Sequence, residues 1–176
     1  MEYASYAEGA VELLNNDFSS IDDLARHVGN RPWLLAQIRE ADLSTIRRLQ
    51  AEIGTIFGAA VRGDEDGAIS LLNEALQRHP ITARLVAHDA EGWHLHVGDS
   101  HRRVPEVLAA EALFGLATLT SQLGINRVGY CAAPGCNRAF VDASPNRSKR
   151  YCSARCATRM NVAALRQRGR ARLAEV

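Results

Sequence analysis

Four cysteines carry the densest chemical signal in the chain. They stand as Cys131-x4-Cys136-x15-Cys152-x3-Cys156, and the other 172 of the 176 residues include no cysteine. Two would come from a tight Pro134-Gly135 turn and two from positions about one helical turn apart, so four thiolates can surround a tetrahedral Zn2+ at zinc–sulfur distances of about 2.3 Å. An iron–sulfur cluster would use the same four ligands, and disulfides would need an oxidising compartment. The first residues, Met1-Glu2-Tyr3-Ala4-Ser5-Tyr6-Ala7-Glu8, are acidic and lack the basic-then-apolar order of an export signal, which favours a metal and a cytoplasmic location. With every position filled by sulfur none is left for water. One zinc ion here would therefore be structural, holding together a segment too small for its own core.

Arginines crowd around that cluster. On a helix capped by Ser153 and running from about Ala154 to Ala174, Arg155, Arg159, Arg166 and Arg170 fall within an arc of about 60°, with Ala157, Met160, Ala164 and Ala171 roughly opposite. Arg147, Lys149 and Arg150 add a second basic group just before Cys152. Guanidinium groups so gathered suit phosphate oxygens and can form paired hydrogen bonds to a guanine edge in the major groove. The plainer alternatives are a solvated basic helix or a helix facing an acidic protein.

Charge divides the chain at the same place as the cysteines do. Residues 1 to 127 hold 11 arginines against 18 acidic residues, a net charge of −7, whereas residues 128 to 176 hold nine arginines and one lysine against two acidic residues, a net charge of +8. An acidic surface repels phosphate; a basic one attracts it. Hydrophobic residues at 47% and charged residues at 23% match an ordinary globular protein and exclude disorder over most of the length. The stretch from Val107 to Ile125 includes Glu111, Thr118, Thr120, Ser121 and Gln122, a poor composition for crossing a bilayer, so no membrane partner is expected.

The elements that must position these groups follow from periodicity. Tyr6, Ala10, Leu13 and Leu14 recur at helical spacing, and Ser20-Ile21-Asp22-Asp23 has the form of a capping box opening a second helix with Leu24 and Val28 inward. Gly29-Asn30-Arg31-Pro32 breaks it. A short segment from Trp33 to Ile38 precedes a long run through Leu43, Ile46, Leu49, Ile53, Ile56, Phe57 and Val61, and Ile69, Leu72 and Leu76 predict one more helix that ends by Pro80. The period then falls to two: residues 82 to 88 and 93 to 97 alternate around Asp89-Ala90-Glu91-Gly92, which predicts a β-hairpin. After Pro105, residues Glu106 to Leu123 read as the most buried helix.

Weaker signals have plain readings. His94 and His96 share a strand face near Asp99 and His101 and could form a second metal site, although a polar outer face explains them as well. Trp33 and Trp93 could stack on a ligand, but aromatic residues of this size are more often in the core. No phosphate loop, serine elbow or metalloprotease motif occurs, so nothing marks the chain as an enzyme.

Residues 131 to 168, with Phe140, Asp142, Ser144, Arg150-Tyr151-Cys152-Ser153 and Cys156-Ala157-Thr158-Arg159, resemble the CGNR zinc finger. The preceding region, with Ala10-Val11-Glu12-Leu13-Leu14-Asn15-Asn16 and Arg31-Pro32-Trp33-Leu34, resembles the ABATE domain usually paired with it, described as a stress-induced transcription regulator. The resemblance implies zinc on Cys131, Cys136, Cys152 and Cys156 and DNA contacts from the arginines. Ala157 and Thr158 replace the Gly and Asn of the name motif, so the zinc fold is expected to stand while any contact of that Asn side chain is not carried over.

The chain therefore reads as α+β and mostly α. Residues 1 to 127 are expected to form a helical sensory or interaction domain with a β-hairpin, and residues 128 to 176 a small four-cysteine zinc finger with a long basic helix. The expected role is a DNA-binding transcriptional regulator on double-stranded DNA, its acidic domain taking a small-molecule or protein effector or pairing as a homodimer. The alternative is a zinc-stabilised adaptor whose basic helix meets an acidic protein or RNA.

Overall fold

A computed structural model of the chain describes residues 3–29, 31–86, 93–97 and 102–174; for 3–6, 86, 94, 96 and 169–174 it describes the backbone alone. The elements are α1 (Tyr3–Asn15), α2 (Ile21–Val28), α3 (Pro32–Leu35), α4 (Glu40–Val61), α5 (Glu65–Arg78), β1 (Ala83–Val86), β2 (His94–Val97), α6 (Val104–Leu123), a 3₁₀ turn (Ile125–Arg127), β3 (Val128–Tyr130), β4 (Ala139–Val141) and α7 (Ala154–Ala174).

Local chemistry sets several of the helix ends. Ser20 Oγ accepts the Asp23 N–H at 3.2 Å while the Asp23 carboxylate accepts the Ser20 N–H at 2.9 Å, which completes the capping box expected for α2. Asp64 caps α5 by accepting the Gly67 N–H at 3.0 Å. A Cβ on Gly67 would stand 2.2 Å from the Asp64 carboxylate, so a side chain there would make the capping carboxylate shift.

Packing centres on α6. Val104, Val107, Leu108, Leu113, Leu116 and Leu119 are all buried on it, and α1 lies along it, where a Cβ on Gly9 would stand 4.0 Å from Cα of Ala112, so the two backbones approach closely. Burying each such leucine contributes about 1.5–3 kcal/mol. By length and composition α6 could cross a membrane, but it is the interior helix of this fold. Ile46, Ile53, Ile56 and Phe57 of α4 close the core from the other side.

Two polar ties hold the helices in place. Asp42 at the start of α4 is fully buried, accepts the Arg39 N–H at 2.9 Å and receives the Arg103 guanidinium from the residue before α6. Arg31 Nη1 donates to both Glu111 carboxylate oxygens at 2.9 Å, tying the α2–α3 junction to α6.

The β1–β2 hairpin is antiparallel, with Ala83 opposite Val97 and Leu85 opposite Leu95; its connecting residues 87–92 lie outside the described residues. Trp33 and Trp93 are not core residues. They are 40% and 76% exposed, because α3 is a single turn at the surface and a two-stranded ribbon has no second layer to cover both of its faces. Val61 and Ile69 also face out, as Ala59, Ala60, Ala68 and Ala75 form the buried faces of their helices. His94, His96, Asp99 and His101, the alternative metal group, lie outside the residues whose side chains are described.

Candidate metal centre

The hairpin β3–β4 was not anticipated from the sequence, and it carries the first half of the site. Its strands pair antiparallel with Val128 opposite Val141 and Gly129 opposite Phe140, and the connection between them is the Cys131–Cys136 knuckle. Within the knuckle the Cys136 N–H donates to Ala133 O at 3.0 Å, and Gly135 takes a φ of +72°, a conformation glycine adopts without steric cost. The second half is the start of α7, where Ser153 Oγ accepts the Cys156 N–H at 3.3 Å and so caps the helix that carries Cys156.

The four sulfurs converge. Cys136 Sγ and Cys152 Sγ are 3.7 Å apart, Cys156 Sγ is 3.9 Å from each of them, and with Cys131 all four lie within 4.8 Å of one another. A tetrahedron with zinc–sulfur bonds of about 2.3 Å has edges of about 3.8 Å, so the set fits zinc. These separations are nearly twice a disulfide bond, and all four cysteines are free thiols.

Two of the thiols are shifted in opposite directions. Burial pushes the Cys131 thiol up, but hydrogen bonds from the Cys152 and Ala133 backbone and from the Cys136 and Cys152 thiols outweigh it and hold the group down at about 7. Burial and the neighbouring thiols of Cys136 and Cys131 instead push Cys152 up to about 12. Four thiolates so close together need a dication to coexist.

A polar loop braces the centre. Asp142 is buried and accepts the Ser144 N–H at 2.8 Å and the Lys149 N–H at 2.9 Å, while its own N–H donates to Arg127 O at 2.7 Å. Burial raises its carboxyl, but the Ser144 and Lys149 donors and the Arg127 charge together bring it below the usual carboxylate range. A Cβ on Gly129 would stand 2.9 Å from the Phe140 ring, and the Lys149 ammonium covers the same ring at 5.5 Å from its centroid.

The finger is docked onto the helices. Asn15, the last residue of α1, donates to Ala139 O at 3.0 Å and accepts the Ala139 N–H at 2.8 Å, so its amide takes the place of a neighbouring strand on β4. Val128, Ala139 and Val141 belong to the same buried cluster as the helical core. A cleft of about 500 Å3 opens at this junction, with Glu8 and Glu12 of α1 on one side and Arg138, Phe140, Lys149 and Cys152 on the other.

The basic residues singled out from the sequence separate into tied and free. Lys149 Nζ donates to Val141 O at 2.9 Å, Arg147 Nη2 to Asn126 O at 3.3 Å and Arg159 Nη2 to Pro134 O at 3.0 Å. Arg150 lies over the Tyr151 ring at 5.9 Å. Arg155 and Arg166 are exposed with no partner among the described residues, and the side chain of Arg170 lies outside them. Val162 and Leu165, 41% and 65% exposed, share this part of α7 with the arginines, and every described side chain from Asn161 to Arg168 is exposed.

Comparison with family models matches residues 5–122 to the ABATE family, described as "Putative stress-induced transcription regulator", and residues 127–169 to the CGNR zinc finger. Among curated proteins none matches the chain.

Proposed function

The chain belongs to the ABATE family and carries a CGNR zinc finger, and from that premise we propose that it regulates transcription by binding double-stranded DNA through the finger. The observation that carries this reading is the free-standing stretch of α7. Arg166 on that stretch and Arg155 at the root of the helix are exposed with no partner among the described residues, in the segment 128 to 176 that holds a net charge of +8. An unpacked helix of this composition gains little from its own fold, and a phosphate backbone supplies what it lacks.

In this reading the zinc is architectural. Cys131, Cys136, Cys152 and Cys156 hold it, and when bound it supplies the cross-link that fixes the root of α7 to the β3–β4 hairpin. Arg155 and Arg166 then meet the duplex from the helix, and Arg150 meets the phosphate backbone from the loop before it, where Arg147 and Lys149 brace the loop through their carbonyl contacts. The acidic helical part, residues 1 to 127, takes no part in the DNA surface and acts as the sensory or interaction domain. The junction cleft is the place where a small-molecule effector would touch both parts.

Val162 and Leu165 support a second reading. Exposed apolar residues beside arginines also suit an acidic amphipathic protein surface, which would make the chain an adaptor. Selection of bound sequences from a random duplex pool, using the zinc-loaded full chain, separates the two. Enrichment of a common motif is the outcome for a DNA-binding regulator, and a pool that emerges unenriched overturns it.

A further inference from the structure

The side chain of Arg159 points back at the zinc knuckle. Its Nη2 donates to the carbonyl of Pro134, midway between Cys131 and Cys136, at 3.0 Å. Arg159 itself lies three residues after Cys156 on α7, so one guanidinium spans from the helix that carries Cys156, with Cys152 just before its start, to the turn between Cys131 and Cys136. We propose that Arg159 is a positioning residue of the metal centre, clamping the knuckle onto α7, and not one of the DNA-facing arginines. This inference holds whether or not the finger binds DNA.

Two further observations point the same way. The four thiolates around one dication leave an excess of negative charge, and a guanidinium bonded to the knuckle places a fixed positive charge beside it. The Cys156-Ala157-Thr158-Arg159 quartet departs from its name motif at two of four positions. Ala157 is half-buried and Thr158 exposed, and neither makes a side-chain hydrogen bond among the described residues, whereas Cys156 and Arg159 both belong to the centre. The letters that survive are those that build the zinc site, which explains why the other two can change without loss of the fold.

The test compares three variants of the zinc-loaded full chain: Arg159→Ala, Arg159→Lys and Arg155→Ala. Zinc transfer to a chromogenic chelator at neutral pH should be faster in Arg159→Ala by about tenfold or more, the size usual for losing an outer-shell partner of a metal site. Arg155→Ala removes the same charge one turn earlier and should transfer zinc at the wild-type rate. Arg159→Lys restores the charge without the planar fork and should fall between. Cobalt substitution gives an independent signature, because a knuckle released from α7 should shift the visible bands of the tetrahedral Co2+ site in Arg159→Ala alone. Failure of Arg159→Ala to take up metal at all, with Arg155→Ala loading normally, also supports the clamp. Equal transfer rates in Arg159→Ala and Arg155→Ala, with superimposable cobalt spectra, would overturn it.

Discussion

The helical part and the finger meet at one shared core but are held by different forces. The helices bury leucines and isoleucines on both sides of α6 and need no ligand. The finger contributes three-residue strands, a six-residue knuckle and the root of a helix that packs on little else, so its geometry depends on the four sulfurs. One region can therefore vary in loops and surface while staying folded, and the other gains or loses its whole shape with one ion.

Zinc removal should break the comparison most strongly. Binding free energies of structural zinc run to about 10 kcal/mol or more, so chelation should abolish the finger's order while most helical circular dichroism remains. Because β4 is docked on α1, the melting temperature of the helices should also drop. An unchanged melt after complete metal removal would mean that the finger contributes nothing to the shared core.

Leu116→Ala should act in the opposite sense. It removes a fully buried side chain of α6 and should cost about 2–5 kcal/mol in chemical denaturation, yet leave zinc stoichiometry at one per chain.

His27 separates the two regions by pH. Burial, and then the Arg31 charge, lower its pKa to about 4, so the fold keeps it neutral in a pH range where the unfolded chain takes up a proton. Stability should therefore be full above about 6.5 and decline as pH falls from there toward 4, by on the order of 1–3 kcal/mol. His27→Gln should lack that slope when both proteins are melted without metal.

The smallest effect tests the seam. Asn15→Ala leaves the Ala139 N–H and carbonyl without their partner and should cost about 1 kcal/mol, with faster amide exchange at Ala139 as the local readout.

Features that rest on local spacing are legible in the sequence. The α2 capping box, the Ser153 cap and the apolar run of α6 each depend on residues within a few turns of one another, and the zinc ligands are the four cysteines of the chain, a residue type whose chemistry shows in the sequence itself. Features that rest on distant partners are not. Asn15 meets Ala139 across 124 positions, and nothing in either segment announces it. Strands of three residues are too short for an alternation to show, which hid β3–β4. Trp33 and Trp93 looked like core residues because side-chain type predicts burial only where a covering layer exists. Arg155, Arg159, Arg166 and Arg170 lie on one arc by angle alone, and only the contact with Pro134 separates Arg159 from the other three.

The proposed function requires a defined arginine face, and not diffuse charge, to meet the duplex. The most direct test measures log affinity against log salt for the zinc-loaded chain on its selected duplex, comparing Arg166→Ala with Arg168→Ala, which lies well away from the arc on the same exposed stretch. Arg166→Ala should lower the slope by about one unit while Arg168→Ala leaves it at the wild-type value. Equal losses at both positions would contradict it and leave a cationic tail without a binding face.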